Sequence, residues 1–359
     1  MSLSLKNREW KEFLFSKIFD IYSSSSGIDK NKLLLKEGNI PYITRTEKNN
    51  GIDLYLCEQN NKYKKDLSNT ITIGLDTQTV FYQSCLFYTG QNIQILESEK
   101  LNKLIANFVI PLIKIQLEKF NWGGNGATLT RLKRSKLFLP VNSKSEPDFT
   151  FMEAYMLSQE KQKEEVLRKY LTKKKKELKR LIKVETINSK EWKEFLIQDF
   201  FDTKKGNQNK MADLKDGKMP LVSAKNGNNG LKGFVSKNIK MHYLKNTLTL
   251  NNDGDGGAGI SYYQPFDYLL DSHVTALYPK DKLNKYSLLF ISRCITKQRN
   301  KFGHGYSLTN NRLKAFKVML PINKDQQPDY EYMENYMKQL ELKKINSYLK
   351  YKAKEKVSK

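Results

Sequence analysis

The sequence predicts an α+β chain in which one unit, a mixed globule followed by a long helix, is written twice. Three observations carry that prediction. Short strings recur in the same order at a nearly constant offset. Each copy opens on alternating, strand-like runs separated by Gly/Asn loops, and each closes on a long stretch without Gly or Pro.

The repeat sets the architecture. Residues 9–14 read EWKEFL, and residues 191–196 read EWKEFL again. Phe19-Asp20 returns as Phe201-Asp202, Asn49-Asn50-Gly51 as Asn228-Asn229-Gly230, and Leu101-Asn102-Lys103 as Leu283-Asn284-Lys285. Thr130-Arg131-Leu132 answers Asn311-Arg312-Leu313, and Pro147-Asp148 answers Pro328-Asp329. The offset stays between 177 and 182, so the whole unit is duplicated.

Within each globule, residues 67–75 (LSNTITIGL) and 244–250 (LKNTLTL) alternate apolar and polar side chains, the pattern of half-buried strands. The Pro-Asp pairs end what precedes them and put an acidic residue at a helix start. From there Met152, Met156, Val166, Tyr170, Leu178 and Ile182 recur at helical spacing, broadened by Leu167 and Leu171. In the second copy Met333, Met337, Leu340, Ile345, Tyr348 and Leu349 do the same. A helix over residues 152–184 would be about 50 Å long at 1.5 Å per residue. The expected division is globule 1–146, helix 147–187, globule 188–327 and helix 328–359. One apolar stripe on so long a helix is best covered by the other stripe. The expectation is therefore an antiparallel coiled coil between two related globules, a dumbbell with a pseudo-two-fold axis.

Composition narrows the function classes. The 359 residues carry 63 Lys+Arg against 38 Asp+Glu, a formal net charge of +25, which suits a polyanionic partner such as nucleic acid. A Lys- and Asn-rich usage throughout the chain is the competing source of that charge. Residues 157–185 hold eleven Lys/Arg against five Glu, and residues 338–359 hold eight against two, so the helices alone supply nearly half of it. Such a face suits solvent or a partner protein as well as DNA. Three isolated cysteines, Cys57, Cys85 and Cys294, form neither a disulfide framework nor a CxxC metal clip. The first residues lack a signal-peptide apolar stretch, and residues 105–115 are too short and too polar to span a bilayer. A cytoplasmic chain with no membrane role is expected.

The repeated strings resemble the specificity (S) subunit of Type I restriction–modification systems. The likeness runs over essentially the whole chain. It rests on the duplicated EWKEFL…FD opening, on ATLTRLKRSKLFLP (127–140) and YSLTNNRLKAFKVMLP (306–321), and on the helix starts PDFTFMEAYM and PDYEYMENYM. The resemblance implies two target-recognition domains, each reading one half of a bipartite, asymmetric sequence in double-stranded DNA. It implies that the paired helices set the gap between the halves and dock two methyltransferase (M) subunits. Adenine methylation with S-adenosylmethionine would belong to those subunits, and ATP- and Mg-dependent translocation and cleavage to restriction (R) subunits. The chain itself would hold no active site and no cofactor. A specificity subunit for a fused, Type IIB-like restriction–methylation enzyme fits the same residues. A tandem-repeat protein scaffold without a DNA target is the alternative from another class.

Candidate DNA-binding residues lie where the two copies diverge within matched frames. Thr44, Arg45 and Lys48 stand against Lys225 and Asn226, where Arg or Lys suits guanine and Asn suits adenine. Trp122 and Asn125, in a Gly-rich run, stand against His304 and Tyr306, where glycines allow close approach and the rings could wedge or stack. Asn252 opens an Asn/Asp/Gly loop that reads as a turn or as a loop approaching DNA. Arg131 with Lys133, and Arg312 with Lys314, are kept in both copies, which fits either a shared phosphate contact or a fold-stabilising pair. Trp10, Phe13, Trp192 and Phe195 read as packing residues.

Other chemistries lack their motifs. Pro328-Asp329 with Glu341-Leu342-Lys343 has the letters of a PD…ExK nuclease, but on a helix the carboxylates do not converge. The loop from Asn251 begins like an EF-hand, yet its twelfth position is Tyr262. No two prolines are adjacent, so the [DNS]PP[YFW] string of amino-methyltransferases is missing, and no GxxxxGK[ST] string occurs. His242, His273 and His304 are scattered without metal-ligand spacing.

Overall fold

The computed structural model describes residues 3–120, 126–178, 184–209, 213–238, 240, 242–254, 257–302 and 306–357. It forms two compact units, residues 1–167 and 168–359, so the division falls inside the first long helix.

In the first unit the order is β1 (Trp10–Leu14), α1 (Phe15–Ile18), β2 (Asp20–Ser23), β3 (Ile40–Ile43) and β4 (Ile52–Leu56). Then come β5 (Thr70–Gly74), β6 (Val80–Gln83), β7 (Tyr88–Thr89) and β8 (Ile93–Glu97). The unit closes with α2 (Lys103–Leu117), α3 (Leu129–Arg134), β9 (Lys136–Pro140) and α4 (Phe149–Leu178). A four-stranded sheet runs β2-β8-β5-β6, a three-stranded sheet β4-β3-β7, and β1 pairs with β9. Only β3 and β7 run parallel among these pairs.

The four-stranded sheet is the middle layer. Ile71 and Ile73 of β5 and Leu96 of β8 pack with Ile105, Val109 and Ile113 of α2. From the opposite face Ile93 and Ile95 of β8 pack on Ile43 and Phe87, next to the smaller sheet. All five residues of β5 are consequently buried, where alternation had suggested a half-buried strand. Its threonines tolerate this because their hydroxyls are bonded, Thr70 to the Leu67 carbonyl at 2.9 Å and Thr72 to the Phe81 carbonyl at 3.2 Å.

The second unit repeats this order. It contains β10 (Trp192–Leu196), α5 (Ile197–Phe200), β11 (Phe201–Lys205), β12 (Asp216–Val222), β13 (Leu231–Val235) and β14 (Thr247–Asn251). There follow β15 (Ser261–Gln264), β16 (Leu269–Leu270), β17 (Val274–Pro279), α6 (Lys285–Thr296), α7 (Asn310–Lys314), β18 (Lys317–Pro321) and α8 (Tyr330–Val357). The sheets β11-β17-β14-β15, β13-β12-β16 and β10-β18 reproduce the first three strand for strand.

Small interactions are duplicated as faithfully. The Trp10 ring stacks 6.2 Å from Phe108, and Trp192 stacks 6.1 Å from Phe290, as packing residues should. Asn102 caps α2 by accepting from the Leu104 and Ile105 amides, and Asn284 caps α6 in the same way. Asp148 accepts from the Phe151 amide at 2.9 Å, and Asp329 from the Tyr332 amide at 2.9 Å, so the Pro-Asp pairs do start α4 and α8. Met152 and Met333, one turn further on, are fully buried in their cores. Tyr155 and Met156 still pack against the first core, and beyond them the α4 stripe leaves the globule: Val166 is 64% exposed and Tyr170 58% exposed, and Leu178 is buried again. Asp329, which caps α8 and pairs with Lys190, and Glu341, which accepts from Tyr286, sit about three turns apart along the helix axis and do not converge. Among the described residues no helix is long and apolar enough to cross a membrane.

Candidate nucleic-acid interface

In each unit, turns from both larger sheets are tied into one loop cluster by backbone hydrogen bonds. The turn between β3 and β4 is built by Asn49, Asn50 and Gly51, all at positive φ, and its partner by Asn228, Asn229 and Gly230. Asn and Gly are the residues that adopt this left-handed backbone most readily, which explains the repeated string. Thr44 donates its amide to Gly51 at 2.8 Å, and Ser223 to Gly230 at 2.9 Å. Asn50 then reaches the Tyr82 carbonyl and Asn229 the Tyr263 carbonyl, pinning each turn to the neighbouring sheet.

The frame continues through the turn that follows the central strand. Leu75 donates to the Asn92 carbonyl at 2.9 Å and accepts from Ala127 at 3.1 Å. Asn252 donates to the His273 carbonyl at 2.9 Å and accepts from Leu308 at 2.8 Å. Four segments in each unit thus meet in matching register: 44–51, 75–79, 90–92 and 126–128 in the first, and their counterparts in the second. The central turn differs in length, with five residues (75–79) between β5 and β6 but nine (252–260) between β14 and β15.

The candidate residues fall on this frame unequally. Thr44 is half-buried at the start of its turn, and Arg45 and Lys48 are exposed on it. The Thr44 and Ser223 bonds place Arg45 opposite Ala224 and Lys48 opposite Gly227, one step from the register suggested by the letters. Lys225 and Asn226 are exposed on the matching turn. Tyr306 is exposed, with the Arg312 guanidinium 3.7 Å over its ring. Trp122, Asn125 and His304 lie outside the described residues.

Three candidates belong to the frame rather than to its surface. Asn252 is only 7% exposed, and its side-chain carbonyl is taken by the Thr275 hydroxyl at 2.9 Å. An amide so enclosed braces the loop. Arg131 donates to the Gly126 carbonyl at 3.0 Å, and Arg312 to the Ser307 carbonyl at 2.7 Å, each five residues back. This common geometry favours the loop-stabilising reading of that pair. Lys133 and Lys314 are exposed beside them, and Lys314 borders an open polar cleft of about 720 Å³ with Lys205 and Lys280.

Two carboxylates and a histidine stand beside these residues without having been among the DNA-binding candidates. Asp76 forms an ion pair with Arg45. Asp253 faces His273 Nδ1, with its oxygens at 2.9 and 3.1 Å. The hydrogen bond to Asp253 raises the His273 pKa, the Asp253 and Asp271 charges add to it, and partial burial and Lys205 oppose it. The available signal was that aligning the two central turns puts an Asp second in each.

Residues 7–169 and 189–350 each match the family described as Type I restriction modification DNA specificity domain. The chain belongs to this family. Both loop clusters and the greater part of α4 and α8 lie within the matched spans. The chain is also similar to the Type II restriction enzyme BgcI specificity subunit S.BcgI of Heyndrickxia coagulans, at 29% identity over 345 residues. That alignment covers 94% of this chain and 96% of the relative. Among solved structures, the Type-I restriction-modification S subunit from M. genitalium is 17% identical with a TM-score of 0.49, covering 99% of this chain and 96% of that one. The HsdS subunit from Thermoanaerobacter tengcongensis is 10% identical with a TM-score of 0.33, covering 94% and 91%. The two units are DNA specificity domains of the restriction–modification kind, set in tandem.

Proposed function

We propose that the chain reads a bipartite, asymmetric target in double-stranded DNA, one half-site per unit, on behalf of a restriction–modification complex. The observation that carries this reading is the pair of loop clusters. They share one hydrogen-bonded frame yet present different side chains, Arg45 and Lys48 on one and Lys225, Asn226 and His273 on the other. A common frame with divergent tips suits two readers of unlike sequence, because base edges select among side chains and the frame only has to hold them.

On this reading the two long helices pair, set the gap between half-sites and dock two methyltransferase subunits. The exposed Val166, Leu167 and Tyr170 on α4 supply apolar surface for such a partner. Catalysis and its cofactors, S-adenosylmethionine, ATP and Mg, then reside in the methyltransferase and restriction subunits, and the chain works in the cytoplasm as their guide. The Type II name of a relative that aligns over nearly the whole of both chains favours a second arrangement, in which one fused polypeptide supplies methylation and cleavage.

The test is genome-wide adenine methylation after co-expression with the neighbouring methyltransferase gene. Methylation at one bipartite motif, lost when this chain is omitted, is the expected result. A stable complex that methylates no motif would favour the protein-binding scaffold instead. The scaffold would also lack the steep fall of DNA affinity with salt that counterion release imposes on a DNA reader.

A further inference from the structure

Matched carboxylates hold different cations in the two units. Leu75 and Asn252 occupy the same place in the frame, so the residues after them, Asp76 and Asp253, correspond. In the first unit Asp76 pairs with Arg45, which comes from the turn between β3 and β4. In the second unit that turn position is Ala224, and the longer loop closes down onto it. A Cβ on Gly257 would lie 2.5 Å from the Ala224 carbonyl oxygen, and one on Gly254 3.2 Å from it. Asp253 instead takes His273, from the turn between β16 and β17.

Each pair leaves one side of its cation open. The Arg45 and His273 side chains are 43% and 61% exposed. Neither the remaining guanidinium N–H groups of Arg45 nor Nε2 of His273 has a hydrogen-bond partner among the described residues. The carboxylate restricts the side chain's rotamers before any ligand arrives, which lowers the ordering cost of binding.

We propose that Arg45 and His273 are the side chains that read a base in the first and second half-sites, with Asp76 and Asp253 as their positioning residues. This rests on the DNA-reading function above. Arg45 offers its free fork to N7 and O6 of guanine, the bidentate match of a guanidinium. His273 offers a single atom whose role depends on protonation. Asp253 accepts from Nδ1, so the proton stays there in either state. The imidazolium then donates from Nε2 to guanine N7 or O6. The neutral ring presents Nε2 as an acceptor, suited to the amino group of adenine or cytosine. Asp253 and Asp271 favour the charged form and Lys205 opposes it, so the guanine-reading state persists above the pH at which an isolated imidazole loses its proton. Discrimination at that base pair falls as pH rises through the folded-state pKa.

The test uses the complex with its methyltransferase partner and duplexes carrying each base at every position of the methylation-defined target. R45A and R45K should each lose roughly tenfold or more discrimination at one guanine of the first half-site, and D76N should act at the same base pair. H273A and D253N should act at one base pair of the second half-site. There the wild type's guanine preference should shrink as pH is raised beyond the range in which an isolated imidazole loses its proton, while H273A stays flat. Uniform weakening across all duplexes would reduce Arg45 or His273 to a phosphate contact and overturn the proposal. So would a D76N or D253N effect at a base pair other than that of its cation, or a pH-independent wild type. If the wild type itself shows no bipartite preference, the DNA-reading function fails. An intact wild-type preference with unresponsive variants removes only the two pairs.

Discussion

Replacing Gly257 by alanine drives a methyl group into a backbone oxygen. The added Cβ would sit 2.5 Å from the Ala224 carbonyl, whereas real Cβ contacts keep at least 3.0 Å. The obstacle cannot swing aside, because the adjoining turn is closed by the Ser223 to Gly230 and Gly230 to Gly227 hydrogen bonds at 2.9 and 3.0 Å. The backbone at Gly257 must therefore lift by at least about half an ångström. Overpacking of this kind costs about 1–3 kcal/mol. Gly257 also accepts from the buried Asn251 amide at 3.1 Å, so the movement loosens the strand end that carries Asp253. The expected outcome of G257A is a folded complex with a lower urea midpoint and weakened discrimination at the second half-site alone. Gly233→Ala, with nothing within 4 Å of its Cβ, is the control and should change neither. Duplex binding, with mismatches placed in each half-site separately, is the assay. A clear loss of stability with second-half discrimination unchanged would refute a reading role for this loop.

Other consequences are smaller in scope. Asp148→Ala and Asp329→Ala both remove a helix cap worth about 1 kcal/mol. Asp329 also loses Lys190 at 2.8 Å in a largely shielded pair, against a 3.3 Å pair with the more exposed Arg8, so D329A should lower the urea midpoint further than D148A. In alkylation of the native chain, exposed Cys85 should react first. Burial pushes the Cys294 thiol up to about 11, so it should react at alkaline pH or after unfolding, and rapid labelling at neutral pH would contradict that. Inserting four helix-forming residues midway along α4 adds about 6 Å of helix. Methylation mapping should then show a wider gap of about two base pairs between unchanged half-sites.

Much of this fold is written in local patterns, and those were legible. The Asn-Asn-Gly strings imply left-handed turns, and Pro-Asp before a Met/Leu-rich run implies a capped helix, because each depends on neighbours in the chain. Whether β5 is covered on one face or two depends on α2 and the smaller sheet, which no window around Thr70 reveals. Asp253 and His273 lie twenty residues apart and meet because β14 pairs with β17, so their contact was invisible to motif spacing. Arg131 and Arg312, kept in both copies, fit a shared phosphate contact and a fold-stabilising pair equally well by sequence. Each in fact donates to a carbonyl of its own loop, a local bond that sequence repetition cannot distinguish from a shared phosphate contact.

The central claim is that each unit reads its own half-site, and a chimera tests it most directly. The first globule would be replaced by a second copy of the second, with α4 and α8 kept, and adenine methylation mapped with the same methyltransferase partner. The account predicts a target made of two copies of the second half-sequence, with the original first half gone. Retention of the original asymmetric target would contradict it.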